Sequence, residues 1–194
     1  MRFIGAGCYP AITTPNPPLI AICARSVTLC AVRLLALSGV GGAPEAAAIG
    51  SQLREHGDEV VERRLAPSAD GRAARLAGGL IAAEELLAAE RPDALVLCGE
   101  GGEVATAALV AVKLGIPQAR VGAGIRAGER HDPDEIDRAI ADRVADLLLC
   151  GDDEAAANLA REGLGEAARV VGDVTADARG AGAEIRAWLE SRPR

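Results

Sequence analysis

Aromatic side chains are nearly missing from this 194-residue chain: Phe3, Tyr9 and Trp188 are the whole set, 2% of residues. Proteins that hold single-stranded nucleic acid stack bases on aromatic faces, so a platform of that kind is excluded. Positive charge is also short. Lys113 is the only lysine, and 21 Lys and Arg stand against 28 Asp and Glu, a formal net charge of -7. Such a balance is not built to follow a phosphate backbone, and no nucleic-acid partner is expected. Histidine occurs twice, as His56 and His131, so no histidine-based metal cluster can be assembled and no metal is expected. The cysteines at 8, 23, 30, 98 and 150 form no CxxC pair. Cys98 and Cys150 each close an apolar run, as small buried residues of a reduced, cytoplasmic protein do.

What remains is ordinary globular usage, 49% hydrophobic and 25% charged, at a length that suits one domain. A core of this size needs no disulfide to hold it. Residues 1–31 stand apart. Pro10, Pro15, Pro17 and Pro18 break them up, and the apolar run 19–24 ends at Arg25. That run is too short to span a bilayer and fits a secretory signal poorly. It reads as an irregular extension, with translation starting near Val27 or Val32, ahead of a domain over residues 32–194. No membrane contact is expected.

From Val32 onward short apolar runs alternate with helical patterns. Strands are expected at 34–38, 59–62, 94–98, 119–121, 147–150 and 169–171. Helices are expected at 44–56, 76–90, 103–114, 134–145, 154–161 and 177–189, the second with Leu76, Leu80, Ile81 and Leu87 on one face. Alternation of this kind predicts an α/β fold, a doubly wound and mostly parallel sheet with right-handed crossovers. Ligands of such sheets bind outside the carboxyl ends of the strands, which singles out the loops that follow them.

The first of these loops, Gly39-Val40-Gly41-Gly42-Ala43-Pro44-Glu45, is glycine-rich but lacks both GxGxxG spacing and a P-loop lysine. It reads either as an anion contact or as a tight turn. Glu100, in Gly99-Glu100-Gly101-Gly102-Glu103, is either a general base or a solvated carboxylate near a helix N-terminus. The loop from Gly122 to Asp134 is longer than strand-to-helix connections usually are and carries Arg126, Arg130 and His131 ahead of Glu135 and Arg138. Those residues suit a phosphate or a sugar; the competing reading is a capped helix with local ion pairs.

Taken in order, the motifs resemble the non-hydrolysing UDP-N-acetylglucosamine 2-epimerases. Gly41-Gly42-Ala43-Pro44-Glu45-Ala46 is similar to the family's G-T-R-P-E-A, and the run from Pro92 to Glu100 to P-D-x-V-x-V-x-G-D. Val121-Gly122-Ala123-Gly124-Ile125-Arg126-Ala127-Gly128 resembles V-E-A-G-L-R-T-G, and Pro133-Asp134-Glu135-Ile136-Asp137-Arg138 resembles P-E-E-x-N-R. The stretch from Ala145 to Gly163 and the run Val170-Val171-Gly172-Asp173-Val174-Thr175-Ala176-Asp177 continue the pattern. The resemblance implies a Rossmann-like N-terminal half of a glycosyltransferase-B fold, with the C-terminal UDP-binding domain absent or separately encoded. It also implies a homodimer and no cofactor.

The reaction it implies removes the C2 proton of a UDP-sugar, expels UDP by anti elimination and adds it back to the 2-acetamidoglucal. Carried over position by position, the resemblance makes Glu100 and Glu135 the catalytic acid/base candidates and Arg126 and Arg138 substrate-binding ones, to which the charged loop adds His131. The departures are Ala43 and Ala48 in place of an arginine and a lysine, Glu100 in place of an aspartate, and Gly122 in place of a glutamate. Two functions stay open on the sequence. One is an epimerase-like protein that acts once a second domain is supplied; the other is a catalytically degenerate or truncated relative that serves as a binding or regulatory module.

Overall fold

The computed structural model describes residues 31–65, 71–129 and 131–192. Residues 1–30 of the expected extension and Arg130 lie outside the described residues. Six strands form one sheet: β1 (Arg33–Ser38), β2 (Glu59–Arg64), β3 (Ala94–Cys98), β4 (Gln118–Val121), β5 (Leu147–Cys150) and β6 (Ala168–Val170). Between and after them run α1 (Ala43–Glu55), α2 (Arg72–Glu90), α3 (Gly102–Leu114), α4 (Pro133–Val144), α5 (Asp153–Arg161) and α6 (Arg179–Ser191).

All strand pairs are parallel, in the order β2-β1-β3-β4-β5-β6. The unbroken apolar runs follow from this arrangement, because a central parallel strand is covered on both faces. Leu34, Ala36, Val96, Leu147 and Leu149 turn to one face, where Ile49 and Leu53 of α1 and Ile185 of α6 meet them. Leu35, Leu37, Leu95 and Leu97 turn to the other, under Leu87 of α2, Val104 and Ala108 of α3 and Ala141 of α4. Leu148 and Cys150 pack beneath Leu159 of α5. Each leucine sealed in this way contributes roughly 2 kcal/mol of apolar transfer.

The strand order reverses between β1 and β3, and ligands of such sheets bind beyond the carboxyl ends of the strands at that switch point. One expectation needs correction. α2 begins at Arg72, four residues before the expected start, because its first turn is exposed and carries no apolar residue to mark it. Its buried side runs through Ala83 and Leu87 with Leu80 packed alongside, whereas Leu76 and Ile81 are exposed. Ile81 sits one residue past Leu80, about 100° around the helix from that stripe.

α6 is tied to the far edge of the sheet by a buried charge. Asp58, which precedes β2, accepts Arg186 Nη1 at 2.6 Å and the Val32 amide at 3.3 Å. Its side chain is 1% exposed. Asp58→Ala removes one member of a desolvated pair and leaves Arg186 only the more exposed Glu190, at 3.4 Å; urea unfolding is expected to show a loss of about 3 kcal/mol. A loss below about 1 kcal/mol would place α6 under apolar packing alone.

Candidate functional site

At the switch point the loops after β1 and β3 are joined backbone to backbone. The Val40 amide donates to the Glu100 carbonyl and the Glu100 amide to the Val40 carbonyl, both at 3.0 Å, an antiparallel bridge joining two parallel strands' loops. Gly39 donates to the Cys98 carbonyl, also at 3.0 Å. The amides of Gly39 and Val40 are therefore taken up by the protein, which favours the turn reading of this loop. Glycine at 42 is required by space, since a Cβ there would lie 2.4 Å from the Cys98 carbonyl and from the Gly99 nitrogen.

Below this lip the Gly99 amide donates to Glu45 Oε2 on the first turn of α1, at 3.1 Å. Burial raises the Glu45 carboxyl above its ordinary value, against the pull of that amide and of Arg120. Burial likewise pushes the Cys98 thiol up to about 12, with the Glu45 charge adding to it, so this cysteine is no nucleophile at neutral pH.

Three of the five candidate side chains meet beside the β3 loop. Arg138 Nε donates to Glu100 Oε1 at 3.3 Å, and Arg138 Nη1 donates to Glu135 Oε2 at 2.7 Å. Glu135 also accepts the amides of Ala127 and Gly128, at 3.1 and 3.4 Å. Burial would raise the Glu135 carboxyl, but the two amides and Arg138 outweigh it and hold the group below its ordinary 4.5. Glu100 is 42% exposed at its side chain, whereas Glu135 and Arg138 are 12% exposed. Glu100 is thus the carboxylate open to a ligand, and Glu135 is the one whose charge is fixed by its neighbours.

The other two candidates stand elsewhere. Arg126 forms a two-pronged contact with Glu162, Nε and Nη2 each donating at 2.8 Å, and its Nη1 donates to Asp142 Oδ2 at 2.8 Å. The Glu162 contact is the main cause that raises the Arg126 guanidinium, burial opposing it and Asp142 reinforcing it. His131 is exposed in the turn before α4, whose N-cap is Asp132.

Sequence reasoning missed Arg120 and Asp142, which are 2% and 1% exposed. Arg120 was legible as a charge within a strand covered on both faces, which requires a partner somewhere in the fold. Asp142 gave no such signal, because one aspartate in a charged helix looks like any solvated face.

Residues 50–191 match the sequence profile of the family described as UDP-N-acetylglucosamine 2-epimerase. The chain belongs to that family. It is 41% identical over 100 residues to the UDP-N-acetylglucosamine 2-epimerase of Methanocaldococcus jannaschii, a match that takes in 51% of this chain and 27% of that one. It is 36% identical over 101 residues to the UDP-2,3-diacetamido-2,3-dideoxy-D-glucuronate 2-epimerase of Pseudomonas aeruginosa, covering 50% and 28%. The solved M. jannaschii epimerase superposes with a TM-score of 0.69 at 26% identity, over 84% of this chain and 53% of that one. A second structure of that enzyme, in complex with UDP-GlcNAc and UDP, superposes at 0.67 over 82% and 53%. This epimerase-family chain therefore spans about half the length of the solved relatives that it matches. Among the described residues no helix is long and apolar enough to cross a membrane.

The Glu135 environment sets a pH dependence. Its folded value lies below the unfolded one, so it stabilises the fold above the unfolded value and loses that contribution as pH falls through the folded value. Glu162, held down mainly by Arg126, has the same sign. Glu45 has the opposite sign, because its raised carboxyl loses stability as pH rises. Glu135→Gln is expected to flatten the fall in urea stability below about pH 4.5, where the wild-type protein steepens. An unchanged acid limb would remove Glu135 from the charge network.

Proposed function

We propose that this chain supplies one wall of a UDP-sugar cleft, with C2 epimerisation by elimination and re-addition when a second domain completes it. The reading rests on one observation: Glu100, Arg138 and Glu135 form a continuous chain of contacts at the β1–β3 switch point of a family member. Glu100, the exposed carboxylate, faces the sugar as acid/base or hydroxyl ligand. Glu135 is its counterpart on the α4 side, and Arg138 holds the two carboxylates at a fixed separation. Arg126 orients the loop through Glu162 and Asp142, and His131 lies at the loop's open end. A separately encoded C-terminal domain, a homodimer and a cytoplasmic location belong to the same reading.

A second reading, a binding or regulatory module without turnover, is favoured by Gly122. It stands where the family motif has glutamate, and its φ of +70° is a conformation that side chains resist. No nearby carboxylate replaces it by sequence position.

Proton NMR of UDP-N-acetylglucosamine with the full chain in heavy water tests for binding and for exchange at C2 in one experiment. Saturation transfer to the sugar protons is expected. Loss of the C2 proton signal adds catalysis, and Glu100→Gln and Glu135→Gln should then each slow that exchange by about 10²–10⁴-fold. Transfer without exchange is the result for a module and for a wall that still lacks its second domain, and a spectrum unchanged in both respects overturns the UDP-sugar reading.

A further inference from the structure

The long β4–α4 loop carries the two amides that grip Glu135, yet Ala127 and Gly128 are themselves exposed, so something deeper must fix their position. The connection leads to one buried carboxylate. Asp142 Oδ2 accepts the Gly124 amide at 3.0 Å and Arg126 Nη1 at 2.8 Å. These donors lie at the start of the loop and two residues further along it. The same arginine continues to Glu162 beyond α5, and Glu162 is fixed in turn by Arg143 of α4, which donates to its carbonyl at 2.9 Å.

Behind Asp142 stands Arg120. Its Nε is 3.8 Å from Asp142 Oδ1, too long for a hydrogen bond, and neither atom has another partner. Its Nη1 donates to the carbonyls of Leu97 and Val121. This carboxylate is 1% exposed and has a guanidinium on each side, Arg120 behind it and Arg126 in front. Gly124 adds a spatial constraint, since a Cβ there would lie 2.3 Å from the Ala155 carbonyl. The loop therefore leaves β4 along a fixed path between α4 and α5.

We infer that Asp142, backed by Arg120, is the positioning residue of the candidate site: it sets the course of the β4–α4 loop and so delivers the Ala127 and Gly128 amides to Glu135. It touches no substrate, and its influence passes through Gly124 and Arg126. The inference rests on the proposed role of Glu135 only for its functional meaning, because the geometric claim stands without any ligand.

The test uses the full chain labelled with ¹⁵N. When a carboxylate that accepts an amide is protonated, the amide proton shift follows the titration. The charged groups set against Glu135 are Arg138 directly and Glu100 through it. In the wild-type protein the Ala127 and Gly128 amides are expected to titrate together with Glu135. In Asp142→Asn that coupled response is expected to vanish, while the amides of β3 and α3 keep their shifts. The affinity for UDP-N-acetylglucosamine is expected to fall roughly tenfold. Coupled titration that persists in Asp142→Asn overturns the inference, whatever happens to binding. Lost coupling in a protein whose wild type binds no UDP-sugar leaves the inference standing and sinks the proposed function instead. If Asp142→Asn does not fold, Arg126→Met carries the test, since it cuts the loop arm but leaves Asp142 its Gly124 donor. Unchanged titration of both amides in Arg126→Met likewise overturns the inference.

Discussion

A guanidinium shut inside a two-faced sheet is the constraint around which the candidate site is arranged. Arg120 occupies a strand whose neighbours are apolar, and burial pulls its charged form down, with Asp142 as the main opposing influence. A buried charge without an answering charge is among the most destabilising things a fold can contain. The fold answers with Asp142 from α4, and that carboxylate in turn collects Arg126 and the Gly124 amide. Strand β4, helix α4 and the loop between them are thereby tied together by charge as well as by apolar packing.

The architecture was readable from the sequence because its signal is physical and repetitive. Consecutive rather than alternating apolar residues at 34–37 and 94–98 require helices on both faces, and β1 and β3 are buried as that requires. The motif order pointed to the family that the sequence profile then matched. The site was only partly legible. Glu100, Glu135 and Arg138 were found as motif positions, and the Glu135–Arg138 pair has helical i,i+3 spacing, but the contact from Arg138 to Glu100 spans 38 residues, which no periodicity reports. Arg126 shows the limit clearly. Its place in a glycine-rich loop suits a ligand equally well or a pair of carboxylates on other helices, and only the fold reveals Glu162 and Asp142 beside it. The start of α2 was lost for a simpler reason, because an exposed first turn of arginine and alanine carries no pattern.

The departures from the family motif fall unevenly across the crevice. On the β1 side the positions of the expected arginine and lysine are alanines, and on the β4 side Gly122 takes the place of a carboxylate. The chain of contacts from Glu100 through Arg138 to Glu135 is intact.

The bridge between Val40 and Glu100 has a consequence for the order of folding. It joins segments far apart in the chain, and it forms only when β1 and β3 already lie side by side, because the strands fix where the loops leave the sheet. Closing so long a loop must precede any gain from the contact. The lip therefore depends on the sheet beneath it, and whatever shifts the β1–β3 register carries the bridge and the Glu100 backbone with it.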